Sequence, residues 1–250
     1  MLKTRLIARM DIRNDKLIKP VNCEGVRVVG NPKEYAERYY DGGIDEILFM
    51  DAVASLYGRN SLEELIMDVT SNVFVPVTVG GGIRNIADVG RMLRVGADKT
   101  AINTAAVKRP ELITEVANKY GSQCMVLQID AKKTGNIWEV YIDGGREPTG
   151  KSVIGWAQEA VKRGAGEILL TSIDREGLRK GFDLPLIKAV TDGVSVPVIA
   201  SGGAGSPEHV VQAVQSGASA VAVADVLHYR RFSIQDIKSE MSSNNIGVRI

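Results

Sequence analysis

The chain is poor in the residues that make a chemical centre unaided. It holds two cysteines, Cys23 and Cys124, and two histidines, His209 and His228. So few thiols, far apart, set no disulfide framework, and no His/Cys cluster falls at zinc-ligand spacing, so no metal site is expected and both histidines read as structural. No apolar run approaches 18 residues, which excludes a membrane-spanning helix. The start Met1-Leu2-Lys3-Thr4-Arg5 leads straight into a strand without a cleavable leader, so a cytoplasmic protein is expected. Lys and Arg number 31 against 30 Asp and Glu, and a net charge of +1 gives no field for nucleic acid or an anionic membrane surface. Any phosphate binding must therefore be local. Neither a nucleophile elbow nor a dinucleotide fingerprint occurs, so no cofactor is expected.

What the chain does have is an internal repeat. Val75-Pro76-Val77-Thr78-Val79-Gly80-Gly81-Gly82 returns 121 residues later as Val196-Pro197-Val198-Ile199-Ala200-Ser201-Gly202-Gly203. The same offset carries Gly96-Ala97 onto Gly217-Ala218 and Glu46-Ile47-Leu48 onto Glu167-Ile168-Leu169. An offset kept over strand, glycine turn, helix and strand means that each half spans several βα units. Two such halves in 250 residues fit one eight-stranded α/β barrel, so the chain is read as a single (βα)8 domain, 1–250, built from two half-barrels.

Strand-length apolar runs alternate with helical stretches, as parallel βα units require. The expected strands are Leu6–Ile12, Glu46–Asp51, Val75–Val79, Lys99–Asn103, Cys124–Asp130, Glu167–Ser172, Val196–Ser201 and Ala220–Ala224. Helices are expected between them, including 32–41, 85–95, 152–163 and 207–216. Two connections are long and polar: 13–31 after the first strand and 131–151 after the fifth, the latter with an alternating Ile-Trp-Glu-Val-Tyr-Ile stretch suited to a hairpin. Long loops on a short-looped scaffold usually cover or complete a site.

Function is expected at the carboxyl ends of the strands. Asp11 and Asp130 close the first and fifth strands, which stand opposite in a ring of eight, and such a pair suits general acid and base work on two sides of one substrate. Each is also a plausible cap at a strand end, and symmetry beside the two long loops favours catalysis. Gly80-Gly81-Gly82 and Gly202-Gly203 each precede a helix, where bare backbone N–H groups can meet an anion. Asn103-Thr104 and Ala224-Asp225 close the next strands and wall these two cradles, so a ligand with a phosphate at each end is expected. Asp51, Thr171 and Ser201 are strand-end polar groups that suit either substrate contact or the hydrogen bonding of loops. Lys19, in the first long loop, is placed to reach over a bound anion, although a lone loop lysine is more often just solvated. At the other end, Arg5, Glu46, Lys99 and Glu167 begin strands one, two, four and six and form a charge-balanced ring on the barrel floor, where ordinary ion pairing would also place them.

Over essentially its whole length the chain resembles the cyclase subunit of imidazole glycerol phosphate synthase, the HisF family of histidine biosynthesis. The most specific segments are 78–83, 96–99, 102–106, 164–174 and 199–205. The resemblance implies that ammonia attacks a phosphoribulosyl-formimino aminoimidazole carboxamide ribonucleotide, giving imidazole glycerol phosphate and aminoimidazole carboxamide ribonucleotide. It implies that Asp11 and Asp130 are the acid/base pair and Lys19 the mobile-loop lysine. It further implies one phosphate site at Gly82, Asn103 and Thr104, and another at Gly177, Gly203 and Ala224. By the same resemblance the floor ring is a gate for ammonia from a HisH-like glutaminase at the amino-terminal face, with Asp98 and Gln123 on the docking surface. The chain departs from the family pattern at Pro20, Cys23-Glu24-Gly25, Glu176, Leu178 and Asp225, all on the substrate side. Pro20 removes an N–H and fixes φ in a loop that must close, and Asp225 adds repulsion at the second cradle unless it turns away. Those changes leave an alternative: a HisF-like subunit supplying ammonia, with a glutaminase, for amidination of a bacterial surface sugar. A related phosphoribosyl isomerase and a non-catalytic partner barrel are weaker readings.

Overall fold

In the computed structural model, which describes residues 3–21, 24–52 and 62–249, twelve strands form one sheet among the described residues. In chain order they are β1 (Arg5–Arg13), β2 (Lys16–Val21), β3 (Glu24–Gly30), β4 (Glu46–Asp51), β5 (Val77–Gly80), β6 (Lys99–Ile102), β7 (Met125–Thr134), β8 (Ile137–Ile142), β9 (Glu147–Ser152), β10 (Glu167–Ser172), β11 (Val198–Ser201) and β12 (Ala220–Val223). Eight of them close a parallel ring, β1-β4-β5-β6-β7-β10-β11-β12 and back to β1, with helices in the connections. This is the expected (βα)8 barrel.

Its strands are apolar on consecutive residues because both faces are buried. One face packs under the helices and supplies most of the core. The other points into the barrel, where a smaller cluster of Ile7, Leu48, Val126, Leu169 and Ile199 is completed by the small residues Ala101, Ala220 and Ala222 with Met50. Both alanines of β12 leave space on one side of the axis.

Two expected strands start late, at Val77 and Val198 rather than Val75 and Val196. The cause lies in Pro76 and Pro197, which have no N–H to give to a ladder. Their carbonyls still accept from Ile47 N and Ile168 N, both at 3.0 Å. The 13–31 segment, expected as a long polar connection, is an antiparallel hairpin: β2 folds back on β1, with Asp11 opposite Ile18, and β3 pairs with β2. Pro20 stands in β2 between Lys19 and Val21, where the register shifts, and so avoids breaking a regular ladder. The second long loop carries the expected hairpin and an unexpected third strand, β9.

The duplication is visible in backbone angles as well as in sequence. Asn85 and Ser206, the helix caps that follow the two glycine turns, have φ/ψ of −151/172° and −152/166°. Asn103 and Ala224, which just follow β6 and β12, share an unusual conformation at −115/−86° and −131/−75°.

Candidate active site

Side chains on a strand alternate, so Arg5, Ile7, Arg9 and Asp11 of β1 all face the barrel interior. They divide its axis into a charged floor, an apolar middle and a charged mouth. On the floor, Arg5 pairs with Glu46 at 2.6 Å and with Glu167, while Lys99 reaches Glu46 at 3.0 Å and Glu167 at 2.9 Å. The four charges form a closed ring of alternating sign. Thr78 Oγ1 donates to Glu46 Oε1 at 2.7 Å, a member the sequence reading did not include. Burial works against the Arg5 charge, but Glu167 and Glu46 together hold its pKa above the usual value.

At the mouth, Asp11 and Asp130 are 2% and 5% exposed, so each is a buried carboxyl rather than a solvated cap. Asp130 accepts from Asn103 Nδ2 at 3.0 Å and from Gln128 Nε2 at 3.1 Å. Burial pushes its pKa up. Gln128, Arg9 and Asn103 pull it down, and the charge of Asp11 adds to the rise. Asp11 Oδ1 accepts from Arg9 Nε at 3.1 Å, whereas Oδ2 is buried with no protein partner. Both carboxyls line a cavity of about 660 Å³. Gly81, Gly82, Asn103 and Thr104 form part of the same wall. Gly81, at φ 86°, passes so close to the Asp51 carbonyl oxygen that a Cβ would collide with it.

The second cradle differs from the first. Gly177, Ser201, Gly203 and Ala224 line a space of only about 20 Å³, enough for about one water. Lys19 and Glu176 fill the rest as an ion pair whose side chains are 5% and 6% exposed. Lys19, expected to reach over an anion from a loop, is thus buried in the hairpin and held by the longer carboxylate at 176. Asp225 does not confront this cradle as a bare charge: its Oδ1 accepts from Arg231 Nε at 2.7 Å, with Arg179 Nε at 4.0 Å. Thr171 and Ser201 are brought together by one donor, Arg9 Nη1, at 3.1 and 3.0 Å. Thr104 Oγ1 lies on the large cavity and accepts from Asp143 N at 3.0 Å. Cys23 lies outside the described residues. No His/Cys/Asp/Glu group suited to a metal occurs among the described residues, and none of their helices is long and apolar enough to cross a membrane.

Arg9 and Gln128 are the site residues that sequence reasoning missed. The signal was available, since each lies two residues before an aspartate and therefore on its side of the strand. A buried arginine flanked by the apolar residues Leu6, Ile7, Ala8 and Met10 is itself informative.

A closed α/β barrel with paired buried carboxyls and a glycine-walled cavity at its carboxyl-terminal mouth is the architecture of a barrel enzyme. The chain belongs to the histidine biosynthesis protein family, whose model matches residues 5–233. Its relatives carry a more specific name. It is 46% identical over 250 residues, spanning both chains completely, to the imidazole glycerol phosphate synthase subunit HisF of Pyrococcus furiosus. It is 48% identical over 250 residues to that of Myxococcus xanthus, covering all of this chain and 99% of the relative. Against the Legionella pneumophila protein of the same name, identity is 60% over 209 residues, 83% of this chain and 99% of the relative.

Proposed function

We propose that this chain, acting as one barrel domain, is the cyclase subunit of imidazole glycerol phosphate synthase. In this reading ammonia attacks the phosphoribulosyl-formimino aminoimidazole carboxamide ribonucleotide, and ring closure with cleavage yields imidazole glycerol phosphate and aminoimidazole carboxamide ribonucleotide. The observation that carries it is the pair of buried carboxyls on opposite strands of one cavity, in a chain of this family. Asp130, whose proton is retained to higher pH by burial, suits the general acid, and Asp11 on the opposite strand of the same cavity is then the base. Gly82, Asn103 and Thr104 take one phosphate of the substrate. Gly177, Gly203 and Ala224 take the other once the Lys19–Glu176 pair rearranges, and Lys19 then supplies a cation. Ammonia enters from a HisH-like glutaminase docked at the amino-terminal face, where Asp98 and Gln123 are exposed and where the Arg5–Glu46–Lys99–Glu167 ring spans the axis. A cytoplasmic setting fits free Cys124. The relatives named above all bear the synthase name, so surface-sugar amidination has no support of its own.

The test is turnover of the ribulosyl substrate with ammonium salt by the purified chain. Asp11→Asn and Asp130→Asn are expected to fold and to lose turnover by about 10² to 10⁴ fold, because an amide cannot exchange the proton. No turnover by the native protein, or near-native kcat in both variants, would overturn the assignment.

A further inference from the structure

Arg9 is given no step in the chemistry above, yet a guanidinium is costly to bury where it lies. Its neighbours Leu6, Ile7, Ala8 and Met10 are apolar and have no accessible surface, and Arg9 itself is 8% exposed. A guanidinium in such a place needs fixed acceptors, because an unpaired buried charge is strongly destabilising. It has them on three strands: Asp11 Oδ1 on β1, Thr171 Oγ1 on β10 and Ser201 Oγ on β11. To reach the last two from β1 the side chain passes in front of β12, and β12 leaves room because its inward residues are Ala220 and Ala222. The arm therefore lies as a chord across the barrel mouth. It lines both the large cavity and the small cradle and forms a wall common to the two.

This arrangement acts on both carboxyls. A planar guanidinium with partners on three strands has little rotational freedom. Asp11, bonded through Oδ1, is fixed with it, and the unpartnered Oδ2 is the oxygen left for a substrate proton. The same positive charge opposes the burial that raises Asp130. We propose that Arg9 is a positioning residue of the reaction, one that orients Asp11 through its fork and does not itself meet the reacting atoms. Thr171 and Ser201 then serve as anchors of Arg9 rather than as substrate ligands. The proposal rests on the reading of Asp11 and Asp130 as the acid/base pair.

Arg9→Ala, Arg9→Lys, Asp11→Asn and Asp130→Asn are compared in the ammonium-salt assay. Loss of orientation is read in kcat, so Arg9→Ala should lose about 10² fold in kcat, with KM changed by less than about threefold. Millimolar guanidinium chloride should return about tenfold of that loss by occupying the space of the missing fork, and an equal concentration of tetramethylammonium should not. Arg9→Lys keeps the charge but not the planar fork and should fall about tenfold in kcat with KM unchanged. Native kcat in Arg9→Ala, a loss confined to KM, or a folded Arg9→Ala protein deaf to guanidinium would each overturn the proposal. If Arg9→Ala does not fold, Arg9→Lys decides alone, native kcat sinking the idea. Turnover retained by both aspartate variants instead condemns the acid/base reading, so the two failures are told apart.

Discussion

His228 should make this protein acid-labile in a way that one substitution removes. Its ring is 3% exposed and lies stacked near Tyr39 at 6.0 Å between centroids. Nδ1 is 2.6 Å from Tyr39 Oη. Burial raises the Tyr39 pKa, so the phenol keeps its proton and donates to Nδ1, leaving the ring proton on Nε2. Burial, helped by Lys19 and Arg38 and opposed by Glu176, lowers the His228 pKa from 6.5 to about 3. The folded protein thus refuses a proton that the unfolded chain accepts near its ordinary pKa. Below pH 6.5 the unfolded state binds more protons, and stability falls by about 1.4 kcal/mol per pH unit until the folded pKa is reached. Between pH 7.5 and 5.0 this amounts to about 2 kcal/mol from His228 alone. In His228→Asn the amide oxygen can still accept from a hydroxyl but nothing titrates. Urea unfolding of both proteins at the two pH values, followed by near-ultraviolet circular dichroism, isolates the contribution because the other groups are shared. The native protein should lose about 2 kcal/mol more than the variant over this interval. Parallel losses would refute the argument, since they would show that the histidine is not held neutral by the fold.

Removing a cation from the floor ring, as in Lys99→Met, leaves Glu46 and Glu167 short of a partner and should cost about 3 kcal/mol of stability, read by urea unfolding. In the presence of the glutaminase it should also reduce glutamine-dependent turnover more than ammonium-dependent turnover, and equal losses in the two assays would reduce the ring to a structural closure. Glu176→Gln removes the anion that neutralises Lys19, so the second cradle should take up inorganic phosphate more tightly than in the native protein. Calorimetric titration measures this, and an unchanged affinity would show that the pair does not compete with an anion there.

Most of the barrel was legible because its strands are apolar runs, two of them closed by glycine turns, and β4 and β10 fall where the residues 46–51 and 167–172 place them. The hairpin of β2 and β3 was not legible. Lysines at 16 and 19 and proline at 20 read as a polar connection, whereas the register shift at Pro20 lets the segment pair as strands. At the site, Asp11, Asp130 and the two cradles announced themselves by symmetry. Arg9 and Gln128 did not, because they sit inside strands where apolar context suggested core. Which way Asp225 turns was left open by the sequence for a different reason: its partners Arg231 and Arg179 are set by the fold after β12 and the loop after β10, and neither contact follows from spacing.

Because Asn85 and Ser206, and likewise Asn103 and Ala224, hold near-identical backbones with different side chains, the molecule contains its own reference sample. Temperature, solvent and chain history are identical for the two members of each pair. A substitution made once on each side of the molecule, such as alanine at 85 and at 206, subtracts the common backbone and leaves the part due to local surroundings. Few proteins permit that subtraction without recourse to a second protein, and here it separates what the ancestral scaffold imposes from what each half has since acquired.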